Sequence, residues 1–155
     1  MILLCYEGSP SSAHVVEAAH EILGDAQATV LHVWEPPASF LVADSFTAWG
    51  LATIAPEQVG DLDARVHERA ERILAAGVEL AGKVGFEATG RLADSRGSQW
   101  RTILEVADEL DASLVVIGTH AVGAIEAALL GSVSSAVVHH AHRPLLLVPT
   151  VNEPS

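Results

Sequence analysis

A chain of 155 residues, half of them hydrophobic, is long enough for one ordinary core and too short for two independent domains. Its net charge of -12, with no Lys or Arg among the first 64 residues, offers no concentrated basic face, so DNA and RNA are excluded as expected partners. No apolar run approaches the roughly 20 residues that span a bilayer, so no membrane segment is expected.

Short apolar runs alternate with segments of helical period, the pattern of an α/β domain built on a largely parallel sheet. The first strand is expected over Ile2 to Tyr6. It opens the chain without a basic flank or cleavage site, so it does not read as a signal peptide. With one cysteine, Cys5, there is no internal disulfide, which fits a cytoplasmic location. Inside a strand Cys5 reads as a small apolar residue, with a thiol-sensing role as the alternative. Ser9-Pro10-Ser11-Ser12 caps a first helix whose buried side is expected to hold Val15, Ala18, Ala19 and Ile22, stopped by Gly24. A second strand follows over Ala28 to Trp34.

The stretch from Glu35 to Ala55 breaks the rhythm. With Trp34 it holds four of the seven aromatics, Phe40, Phe46 and Trp49 being the others. It reads as an insertion over the sheet end, less ordered without ligand than the sheet, or as a lid packing its own aromatics. From about Pro56 to Lys83 a long helix places Val66, Ala70, Ile73, Leu74 and Gly77 on one side. Its Arg65, Arg69 and Arg72 alternate with Asp63, Glu68 and Glu71 as a solvated face with local ion pairs. A third strand is expected over Gly85 to Leu92. A helix opened by Ser98 follows, with Ile103, Val106, Ala107 and Leu110 inward. A fourth strand runs over Ser113 to Gly118. A helix opened by Ser132 carries Val133, Ala136, Val137 and His140, and a fifth strand over Leu145 to Pro149 ends the fold. Residues 1–150 are thus expected to form one domain, with 151–155 as a tail. His139, His140 and His142 point in different directions from a helix and make a poor metal set, so no metal site is expected.

Three loops are placed to meet outside the strand ends: Tyr6 to Ser9, Trp34 onward, and Gly118 to Ser134. In the last of these, GTHAVGAIEAALLGSV, glycines permit positive φ and close approach to a ligand, and Gly131-Ser132 stands at a helix start, where unpaired N–H groups favour a phosphate. A purely structural role for these glycines is the alternative.

The strand ending VVIGTH, the glycine-bearing loop and LLGSVSSAVVHHAHRPLLLVP resemble the C-terminal half of the universal stress protein family. The opening ILLCYEGSPSS and VLHVWEPP resemble its first two strands. Nucleotide-binding members carry Gly, two residues, Gly, nine residues, then Gly followed by Ser or Thr, and Gly118 to Gly131-Ser132 keeps that spacing. The resemblance implies a doubly wound five-stranded parallel sheet in the order 3-2-1-4-5 with helices on both faces. It also implies a homodimer through the last strand and an adenine-nucleotide site.

Carried over, Glu7 stands near ribose and phosphates, Val33 meets adenine through its backbone, and Gly118, Gly131, Ser132, Val133 and Ser134 take the phosphate-loop and helix-cap positions. Thr119, His120 and Gly123 lie in the same loop. The second motif glycine is Ala121 here, where a left-handed backbone would cost about 1–2 kcal/mol. The loop also lacks permanent cations, and Glu7 replaces a shorter aspartate. The implied ligand is ATP or another adenine nucleotide, with Mg only alongside ATP, in a stress-response module whose ATP hydrolysis is at most slow. The alternative is a dimeric interaction protein that holds no nucleotide. A third reading, an adenylate-transferring enzyme, needs a basic motif that Ser9 to Ser12 does not supply.

Overall fold

The computed structural model describes residues 1–36, 56–95, 97–121 and 131–151. In chain order the elements are β1 (Ile2–Cys5), α1 (Pro10–Leu23), β2 (Gln27–Trp34), α2 (Pro56–Val84), β3 (Glu87–Asp94), α3 (Gln99–Glu109), β4 (Leu114–Ala121), α4 (Ser132–His140) and β5 (Leu145–Val151). The five strands form one parallel sheet in the order β3-β2-β1-β4-β5, with β1 at the point where the order reverses. Residues 37–55 of the insertion expected over Glu35 to Ala55, and the end of the tail, 152–155, lie outside the described residues.

Side chains of a strand alternate between faces, so each central strand feeds two cores. Ile2 and Leu4 join Val15, Val16 and Ala19 of α1, and Ala81 of α2, on one face. Leu3 joins Ile103, Val106 and Ala107 of α3, and Val137 of α4, on the other. The helices lie on both faces, two on each.

Local signals act where they are expected. Ser9 caps α1 by accepting the Ser12 N–H at 3.1 Å, Pro10 occupies the first turn, and Gly24 ends the helix with φ 67°. Arg72 and Glu68 pair at 2.8 Å on the exposed side of α2. Arg143 joins the turn after α4 to the end of α3, donating to Asp108 at 2.8 Å, Asp111 at 3.0 Å and the Ala112 carbonyl at 2.7 Å.

Several expectations need correction. Ile22 is 63% exposed rather than buried; Val16, one position from the expected stripe, takes an inward place instead. The third strand starts at Glu87, and Phe86 packs into the core just before it. His140 is exposed in α4, yet its ring stacks on Trp100 with centroids 4.3 Å apart. The fourth strand does not stop at Gly118. It continues through Thr119 and His120 to Ala121, paired with Val148 to Val151 of β5, because both strands carry on past the core with matching register. The first four residues of the expected loop, Gly118 to Ala121, are therefore sheet, and the fifth strand includes Val151 rather than leaving it to a tail.

Candidate functional site

β1 ends at the sheet's centre, and the chain leaves it through a turn tied to β2. The Tyr6 N–H donates to the Leu31 carbonyl at 2.9 Å, and the Tyr6 carbonyl accepts from His32 Nδ1 at 2.9 Å. A carbonyl only accepts, so the Nδ1 of His32 carries the hydrogen. Beyond this anchor Gly8 turns with φ 84°, a conformation that suits glycine, and the Ser9 hydroxyl donates to the Glu7 carboxylate at 2.8 Å.

On the other side of the reversal point, Thr150 donates its hydroxyl to the Thr119 carbonyl at 2.8 Å and holds the end of β4 to β5. Gly131 opens α4. Its carbonyl accepts the first helical bond, from the Ser135 N–H at 2.8 Å, and a second from the Ser134 hydroxyl at 3.0 Å. The N–H groups of Ser132, Val133 and Ser134 precede that first helical bond, so they have no partner within the helix. No side chain caps this end among the described residues.

Between these two structures lies a cleft of about 290 Å3 at the carboxyl ends of β1, β2 and β4. Its apolar wall comes mainly from the α3/α4 side of the sheet, including Leu31, Val33, Ile103 and Ile117, with Val15 of α1 from the other face. Glu7 and the turn from Gly131 to Ser134 both line the cleft. Open parallel sheets place ligands at this crevice.

The cleft brings together Glu7, Val33 and Gly118 with Gly131, Ser132, Val133 and Ser134. Thr119 does not line it; it is buried within β4. His120 belongs to β4, and Gly123 lies outside the described residues. Sequence reasoning missed His32 and Gln99, which also line the cleft; Tyr6, where the expected Tyr6 to Ser9 loop begins, lines it too. Only the polar His32 among the apolar residues of β2 signalled such a role.

Two residues of the motif have physical explanations different from the expected ones. A Cβ on Gly118 would stand 2.9 Å from Val15 Cγ2 and 3.3 Å from Thr150 Cγ2, so packing of α1 on β4 already requires glycine there. Ala121 pairs with Val151 at the end of β4, and its backbone is not left-handed. The left-handed strain expected at Ala121 is therefore not found.

Cys5 lines the cleft and is partly buried, and desolvation pushes its thiol up to about 12 from 9.0. At pH 8 the folded chain should hold about a thousandfold less thiolate at Cys5 than the unfolded chain. A colorimetric thiol reagent should therefore label native protein at least about a hundredfold more slowly than urea-unfolded protein; equal rates would show an ordinary accessible thiol. Because the folded value is the higher one, the stability contributed by the neutral thiol is full below pH 9 and is lost as pH rises toward 12.

Among the described residues, no helix is long and apolar enough to cross a membrane, and no three His, Cys, Asp or Glu side chains come together as a metal site.

A family model described as the universal stress protein family matches residues 1–149. A universal stress protein of Thermus aquaticus is 34% identical over 155 residues, covering 95% of this chain and 96% of the relative. One from Mycobacterium tuberculosis, Rv1996, is 38% identical over 85 residues, covering 50% of this chain and only 26% of that longer relative.

Among solved structures, a universal stress protein in complex with cAMP superposes with a TM-score of 0.62 at 24% identity, covering 96% of each chain. The Archaeoglobus fulgidus protein in complex with dAMP gives 0.58 at 21%, covering 94% of each. An Arabidopsis thaliana family member with AMP bound gives 0.57 at 15%, covering 96% of this chain and 90% of that one. At these identities the structures share the fold. With the family model spanning nearly all of the sheet and its helices, the chain belongs to the universal stress protein family.

Proposed function

We propose that this chain is an adenine-nucleotide-binding regulatory module of the stress response, acting in the cytoplasm as a homodimer. The observation that carries the reading is the cleft at the reversal point of the sheet, lined both by the open N-terminus of α4 and by apolar Leu31, Val33 and Ile103. Relatives of the same fold hold AMP, dAMP and cAMP, which supports an adenine nucleotide as its guest. In this reading the base meets the Val33 backbone, the ribose lies toward Glu7, and a phosphate meets the N–H groups of Ser132, Val133 and Ser134. ATP would enter with Mg, and any hydrolysis would be slow and incidental to signalling by occupancy.

Gly131→Val tests the site. The Gly131 backbone, with φ -52° and ψ 158°, accepts a side chain without strain, so the variant should fold while the isopropyl group crowds the phosphate end. Calorimetric titration should show adenine-nucleotide binding by the wild-type protein and a loss of about tenfold or more in the variant. A wild-type protein that gives no heat and no thermal shift at millimolar nucleotide would sink the reading. The dimeric interaction protein would then replace it. The packing of Val15 against Gly118, which explains that glycine without any ligand, favours that second reading.

The dimer would form through β5, which is an edge of the sheet. The bond from the Val115 N–H to the Pro144 carbonyl sets the phase of the β4–β5 ladder. Leu146, Val148 and Thr150 therefore turn their backbone polar groups toward β4, while Leu145, Leu147 and Pro149 turn theirs outward. Two-fold pairing along such an edge is the simplest closed assembly. Leu147→Pro removes an outward N–H and no bond to β4, as Pro149 already does, and keeps an apolar side chain at a position that packs partly against the α3/α4 core, so the expected result is a monomer that retains the wild-type circular dichroism. Leu146→Lys is a poorer test, because Leu146 packs against the core on the α1 side. Light scattering that finds the wild type monomeric at micromolar concentration, or the proline variant still dimeric, would remove the β5 dimer.

A further inference from the structure

Resting on the adenine-nucleotide reading, we infer that His32 is a positioning residue for the base: its imidazole takes the Tyr6 carbonyl out of the β1–β2 ladder and so leaves the backbone N–H and C=O of Val33 open to the ligand. The phase of the ladder is the ground for this. Cys5 stands opposite Leu31, and the Tyr6 N–H donates to the Leu31 carbonyl at 2.9 Å. In a parallel pair that phase repeats every second residue, so the odd-numbered residues of β2 turn their polar groups toward β1. The even-numbered ones serve β3, as the bond of 2.7 Å from the Ser95 N–H to the Trp34 carbonyl shows. The next rung toward β1 would run from the Val33 N–H to the Tyr6 carbonyl, and the one after it from the Gly8 N–H to the Val33 carbonyl. Among the described residues neither rung is made.

The Tyr6 carbonyl goes instead to His32 Nδ1 at 2.9 Å. His32 is only 8% exposed, and it lines the cleft together with Tyr6 and Val33. A backbone carbonyl in such a place needs a donor, and the imidazole supplies the one that the Val33 N–H would otherwise give. Val33 is left at the end of the ladder with a donor and an acceptor on the side of β2 that β1 has vacated. Adenine carries a ring-nitrogen acceptor beside its amino donor, which is the complement of that pair. Without the imidazole, the turn after β1 is free to settle onto Val33, and the closed rung takes the place of the base.

Amide hydrogen exchange followed by NMR reads the open rung directly. In the ligand-free wild-type chain the Val33 amide should exchange at least about a hundredfold faster than the Leu31 amide, and saturating AMP should slow it. Two variants then separate the donor from the bulk of the ring. His32→Leu keeps an apolar side chain of similar volume and has no donor, whereas His32→Asn places an N–H as many bonds from the backbone as Nδ1. Calorimetric titration with AMP and with adenosine should show losses of at least about tenfold for both ligands in His32→Leu, and affinities within about threefold of wild type in His32→Asn. The ligand-free Leu variant should also protect its Val33 amide. A Val33 amide as protected as Leu31 in the ligand-free wild type overturns the inference. So does wild-type affinity in His32→Leu, an equal loss in His32→Asn, or a loss confined to AMP, and each of these leaves the nucleotide reading intact. A wild-type chain that binds neither AMP nor adenosine overturns both readings together.

Discussion

Leu4→Ala is expected to cost about 3–5 kcal/mol, a large share of the stability of a domain this size. Leu4 lies in β1, the central strand, with no exposed surface, and packs among residues of α1, β2 and β4. Truncation removes the transfer free energy of the lost carbons and leaves a cavity in a region where strands on both sides restrict collapse. Ile22→Ala on α1 makes the contrast. Ile22 is of similar size but 63% exposed, so its loss should change stability by about 0.5 kcal/mol or less. Urea denaturation at 25 °C with both variants decides the matter: comparable losses would mean that Ile22 is buried in solution, and a loss near 1 kcal/mol at Leu4 would mean that the sheet's centre is loosely packed.

Gly77→Ala should also destabilise, against the ordinary preference of a helix. Alanine in the interior of α2 gains about 1 kcal/mol in helix propensity over glycine. The new Cβ, however, would stand 2.5 Å from Tyr6 Cδ1, 2.9 Å from Cε1 and 3.0 Å from Cγ. Contacts that close force the ring or the helix to move, and overpacking of this kind costs about 1–3 kcal/mol. The expected net loss is up to about 2 kcal/mol. In a Tyr6→Ala background the obstacle is gone, so the same substitution should become neutral or stabilising. That reversal of sign is the decisive reading of a double-mutant cycle measured by urea denaturation. Equal effects in both backgrounds would show that Tyr6 does not occupy the space at Gly77. Because Tyr6 also carries the carbonyl held by His32, the single variant should disturb the Glu7 turn and, on the proposed reading, weaken nucleotide binding.

Strand and helix alternation, the cap at Ser9, the stop at Gly24 and the inward faces of α2 and α3 were all legible in the sequence, because each depends on neighbours within a turn or two of chain. Periodicity did not provide the strand order; the resemblance carried by VVIGTH, LLGSV and ILLCYEGSP implied it, and the pairing of β1 with both β2 and β4 shows it. The same resemblance pointed to Glu7, Val33 and the Gly131 to Ser134 turn, which the tertiary structure brings to one cleft.

What the sequence did not disclose lies in contacts between distant segments. The bond between His32 and the Tyr6 carbonyl joins positions 26 residues apart, and it follows from the register of β2 against β1, which no local pattern encodes. Gly118 reads as a ligand-approach glycine until Val15 of α1 is found against it. Ala121 reads as a strained loop residue until β5 is seen to run beside it as far as Val151. Ile22 fits the helical stripe of α1, but at that turn the neighbouring Leu23 packs against the core and Ile22 meets solvent. Local chemistry determined which segments become strands and helices and where they start and stop. The reason for each glycine, and which side chains share the cleft, were decided by how those elements pack, since excluded volume between remote residues exists only once the sheet is assembled.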